Sequence, residues 1–168
     1  MTDEVLFFAT LFFAFSVTLP EMIRRDTDDY HTEAVSHYLT GPASGLQDIG
    51  FVVMALGMFW AAAQWWLSTS AVAAILVGIG LIGAMTTDRF PQWYGSQKKA
   101  LHGASAGLAF LSAAVMMIAL PQPKGMLTLA IAYPVVVALA YVLAPKRTAV
   151  QEKLAVAMIV IWLLGLSV

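Results

Sequence analysis

Six apolar stretches, parted by polar segments, decide most of what this chain can fold into. They cover residues 5–19, 49–67, 71–85, 101–120, 126–144 and 154–168. A helix needs about 20 residues to cross ~30 Å of hydrocarbon, and within that layer it must satisfy its own backbone hydrogen bonds. Stretches one, three and six are short as uninterrupted runs and must borrow flanking residues. The spans then become about 4–20, 48–67, 69–87, 99–120, 125–144 and 149–168. The last begins near Ala149, because Thr148 followed by Gln151 fits a capping box. The expected fold is all-α: an integral membrane bundle of six transmembrane helices forming a single domain over 1–168.

Composition closes the alternatives. The chain is 60% hydrophobic and 11% charged, against about 45–50% and about 25% for soluble domains. A net charge of −1 offers no basic surface, so nucleic acid is not an expected partner. The absence of Cys removes disulfides, thiolate-bound zinc, iron–sulfur clusters and thiol nucleophiles. No cofactor is required by the sequence.

Orientation follows from the cations. Arg24 and Arg25 follow the first span, Arg89, Lys98 and Lys99 the third, and Lys146, Arg147 and Lys153 the fifth; Lys124 alone lies on the other side. The positive-inside rule puts those three loops in the cytoplasm and both termini outside, in a multi-pass protein of the cell (inner) membrane. The acidic start Met1-Thr2-Asp3-Glu4 is unlike a signal peptide, so the first stretch is read as a retained span. Trp60, Trp65 and Trp66 fall at the outer end of the second span and Trp93 with Tyr94 in a cytoplasmic loop, depths where such rings concentrate. Trp162 is expected at the outer interface as well. Short connections make hairpins of spans two and three and of four and five, which are expected to form the core, with spans one and six peripheral.

Small residues let membrane helices approach closely. Gly78, Gly80 and Gly83 on span three and the pair Gly103 and Gly107 on span four read as packing positions. The first three formally spell GxGxxG, but they sit in mid-span rather than after a strand, so dinucleotide binding is rejected. Met54, Met58, Met116 and Met117 read as filler rather than copper ligands. Pro134 is expected to kink span five.

Chemistry can sit only where polar groups remain. Residues 21–47 form a polar loop in which Tyr30, Ala34, Val35 and Tyr38 share one helical face, as in a short helix lying on the membrane. The sharper reading gathers His37, Tyr38, Asp48, Asp88 and His102, all on the cytoplasmic side. His37, Tyr38, Asp88 and His102 are the catalytic candidates; His37, Asp48, Asp88 and His102 are the metal-ligand candidates, enough for a zinc or iron site with an open position. A bis-histidine haem would pair His31 or His37 with His102. No GxSxG elbow supports a serine nucleophile.

Two stretches carry a resemblance. Ser36-His37-Tyr38-Leu39-Thr40-Gly41-Pro42 is similar to an S-x-Y-x-x-G pattern, and Thr87-Asp88-Arg89-Phe90-Pro91 with Leu101-His102-Gly103 to a P-x-D…H-x-x-x-A region. Both resemble a six-spanning bacterial and archaeal membrane family known as domain of unknown function nine-nine-eight. Thr86 stands where that pattern has Pro, and Pro91 follows the Asp instead. The resemblance implies that Ser36, Tyr38, Gly41, Asp88 and His102 belong to one polar site on one face, and it implies no reaction type.

The leading expectation is a non-catalytic accessory or scaffolding subunit, packed in the lipid bilayer against other membrane chains or its own copies. The alternative is a metal-assisted hydrolase acting on a lipid head group at the membrane interface. Transport of a small neutral molecule comes third.

Overall fold

The computed structural model describes residues 4–23, 44–89, 96–121, 126–143 and 148–167. They form six helices and, among the described residues, no strand: α1 (Glu4–Ile23), α2 (Ser44–Gln64), α3 (Thr69–Arg89), α4 (Ser96–Ala119), α5 (Met126–Leu143) and α6 (Thr148–Ser167). The fold is all-helical. α2, α3 and α4 are long and apolar enough to cross a membrane, while Glu4–Leu19 of α1 and Met126–Ala140 of α5 are shorter apolar helices. The expected interfacial helix, with His31, Ser36, His37, Tyr38 and Gly41, and the loop aromatics Trp93 and Tyr94, lie outside the described residues.

The turn between α2 and α3 is tight. Leu67 takes the left-handed conformation that ends many helices, with φ of 58°. Ser68 Oγ then accepts a hydrogen bond from Ala71 N at 3.1 Å and donates to Trp65 O at 2.6 Å. One side chain thus caps the start of α3 and ties it to the end of α2.

α3 packs most extensively on α4, and α2 lies between α1 and α3. α6 joins the two ends of this row by packing on α5, α1 and, more lightly, α4. Hairpin α2/α3 is central as expected. The expectation that α1 and α6 are peripheral is overturned: Leu6 and Phe13 of α1 and Trp162 and Leu163 of α6 are core residues. α4 and α5 touch far less than their short connection implied. Trp162 is fully buried rather than set in an interfacial belt, because its ring fills the space between α6 and its neighbours. Trp60 and Trp66 do point outward, at 48% and 76% exposure.

Met54, Met58, Met116 and Met117 are buried, as expected of flexible filler. Phe8, Phe15, Leu56, Leu111, Ile118 and Val142 face outward. An apolar outer surface of this extent is what a lipid environment requires, since lipid is as apolar as the core itself.

Candidate functional site

Helix direction brings one set of chain ends together. α1 and α2 run antiparallel, with Gly57 against Ala9 and Gly50 against Ser16. The end of α1, the start of α2, the end of α3 and the starts of α4 and α6 therefore share one end of the bundle. Most of the buried or half-buried polar groups near helix ends are here: Gln47 and Asp48 on α2, Thr87 on α3, His102 on α4, and Gln151 and Glu152 on α6.

His102 is the best defined of them. Its Nδ1 lies 3.2 Å from Ala84 O and 3.3 Å from Thr87 Oγ1. Thr87 Oγ1 already donates to Ala84 O at 2.9 Å, and a carbonyl oxygen can only accept. Both contacts of Nδ1 are satisfied together when Nδ1 carries the proton. We therefore assign the Nδ1–H tautomer, which makes Nε2 the basic nitrogen of the ring. A backbone carbonyl that fixes Nδ1–H in this way is the usual means of orienting an imidazole for work at Nε2.

Of the other sequence candidates, Asp48 is half-buried in the first turns of α2, one turn before Phe51. Phe51 and His102 line a common void, so Asp48 and His102 share the same end of the bundle. Asp88 belongs to the last turn of α3 by its backbone, and its side chain lies outside the described residues, as do His37 and Tyr38. Among the described residues, no three His, Asp or Glu side chains lie together as a metal-ligand group.

Glu152 is the residue that sequence reasoning missed. It lines a void of about 40 Å³ together with Phe13, Phe51, Ala84, His102 and Val156. The sixth span is expected from about Ala149 and α6 starts at Thr148, so the helix over Glu152 is as expected and only its inward side is new. The signal was present: running the core stripe Trp162, Ile159, Ala155 one turn back reaches Glu152. The void itself has almost wholly carbon walls, including the flanks of His102 and Glu152.

Gln151 behaves differently from the capping-box expectation. Its Nε2 reaches out of its own helix and donates to Ala140 O of α5 at 2.8 Å. Ala140 is among the last four residues of α5, whose carbonyls have no donor within their own helix. Gln151 thus caps α5 from α6.

The glycines divide into two groups. A Cβ on Gly80 would stand 2.7 Å from both Ala109 N and Ser105 O, and one on Gly83 would stand 2.5 Å from Ser105 Oγ. A Cβ on Gly78 would meet the ring of Phe59 at 2.5 Å. These three are close-approach positions. Among the described residues, nothing stands within 4 Å of where a Cβ on Gly103 or Gly107 would be. They lie on the stripe of α4 that continues through Phe110 and Ala114, and Phe110 O receives the Tyr133 hydroxyl of α5 at 3.3 Å. The seam between α4 and α5 is closed at that level, and at the level of Gly103 and Gly107 no described residue closes it.

No curated protein and no solved structure matches the chain. A family model does, over residues 7–168, and its description is "Protein of unknown function (DUF998)". That match spans nearly the whole helical bundle, including the α3–α4 end where His102 and Thr87 meet, and the chain therefore belongs to the DUF998 family.

Proposed function

We propose that the protein is a non-catalytic membrane subunit, a scaffold that takes a helix of a partner chain or of its own copy into the open part of the α4–α5 seam. One observation carries this reading: among the described residues, none stands within 4 Å of where a Cβ on Gly103 or Gly107 would be. Small-residue faces are where helices meet in lipid, because close backbone approach replaces the hydrophobic drive that lipid cannot supply. All six helices cross the cell (inner) membrane in this reading, with both termini outside and the His102 end cytoplasmic. α1, α5 and α6 borrow polar turns to reach across, as short spans do beside neighbours or in a locally thinned bilayer.

The test is native purification in mild detergent with mass spectrometry of what stays bound. A stoichiometric chain, or a second copy, is expected, and Gly103→Leu with Gly107→Leu is expected to release it while His102→Ala retains it. A chain that purifies alone sinks the scaffold reading. A reporter fused after Val168 is expected to signal from outside the cell, and a cytoplasmic signal reverses the orientation.

A second reading has its own support in the contacts that hold His102 Nδ1 at Ala84 O and Thr87 Oγ1, with the Glu152 side chain on the same void. Ionisable groups between membrane helices commonly mark function. In this reading the cytoplasmic end is an interface site acting on a lipid head group, with His102 Nε2 as base or ligand. Loss of a turnover on His102→Ala, with assembly intact, would favour it over the scaffold.

A further inference from the structure

α5 is held at two points and weakened between them. Above, Tyr133 donates to Phe110 O and fixes α5 to α4. Below, Gln151 Nε2 holds Ala140 O and draws the end of α5 to α6. Between them stands Pro134, inside the helix. Its ring nitrogen has no hydrogen to donate to the carbonyl one turn back, so the helix is most easily bent there. Gly103 and Gly107, which no described residue approaches within 4 Å of an added Cβ, lie on α4 below the Tyr133 level.

We propose that the lower half of α5, residues 134–143, is a hinged arm that swings on Pro134, and that Gln151 is the latch holding it on α6 and the seam open. Released from Gln151, the arm closes on the Gly103 and Gly107 stripe, where glycine presents no side chain to stop it. The polar latch is suited to this task. Within lipid the carbonyl of Ala140 needs a donor, and Gln151 supplies one only while α5 stays on α6. This inference rests on the reading of the seam as the place where a partner helix docks, and it names what controls its width.

The chain has no cysteine, so two introduced thiols report one distance. Spin labels at Ala104→Cys and Leu139→Cys, both exposed, read the lower seam, and labels at Leu111→Cys and Ile131→Cys, also exposed, read the upper one. Pulsed electron resonance on single copies in lipid nanodiscs gives each distance without any partner present. With Gln151→Leu the lower distance is expected to shorten by several ångströms while the upper one stays, and adding Pro134→Ala is expected to restore the longer distance. An unchanged lower distance in Gln151→Leu overturns the latch. A change in both pairs together means general loosening and overturns the hinge. Either failure leaves the docking reading to be decided by co-purification.

Discussion

On one flank of α4, Gly80 and Gly83 of α3 approach so closely that a methyl group on Gly80 would strike main-chain atoms and one on Gly83 the Ser105 side chain. On the other, Gly103 and Gly107 of α4 itself meet no described residue. The two motifs look alike in sequence, small residues at helical spacing in apolar stretches, and they do opposite things. A glycine in a membrane helix only permits close approach; whether anything approaches depends on the helix opposite. α3 is tied to its neighbours by the capped turn at Ser68 and by the contact of His102 with Ala84 and Thr87. α5 is drawn to α6 instead by Gln151.

The sharpest way to break this contrast is at Gly80. Gly80→Ala places a methyl against Ala109 N and Ser105 O, which cannot turn aside as a flexible side chain can. A loss of about 2 kcal/mol or more is expected in detergent unfolding. Gly103→Ala with Gly107→Ala is expected to leave the same measurement within about 0.5 kcal/mol. Equal losses at the two sites would erase the distinction between the seams.

Two intermediate effects sharpen it. Gln151→Leu removes the donor to Ala140 O and is expected to cost about 1 kcal/mol, since an interhelical hydrogen bond in lipid contributes modestly. Leu67→Gly is expected to stabilise the chain by about 1 kcal/mol, because Leu67 holds a positive φ with its side chain 89% exposed. Unfolding midpoints check both, and a destabilised Leu67→Gly would mean the exposed leucine is needed against lipid or a partner.

The smallest effect tests the site. Thr87→Val keeps the shape and removes one of the two contacts of His102 Nδ1. A change of no more than about 0.5 kcal/mol is expected. Nitrogen-15 spectra of the ring should still show protonated Nδ1, held by Ala84 O. An Nε2–H tautomer in the parent chain would remove the basis for placing chemistry at Nε2.

The amino-acid order alone determined the helices, because long apolar stretches in an uncharged setting leave the chain no other way to satisfy its backbone in lipid. It also marked His102, Asp48 and the close-packing role of Gly80, since residue type and spacing carry those. It could not show that Trp162 is core rather than rim, that Glu152 lines the same void as His102, or that no described residue would stand against Gly103 and Gly107. Each of these depends on which helix stands opposite. In a bundle whose helices are apolar on every side, hydrophobic patterning does not say which face turns inward. Individual contacts between distant positions decide that instead: Tyr133 on Phe110, Gln151 on Ala140, and Gly80 against Ala109.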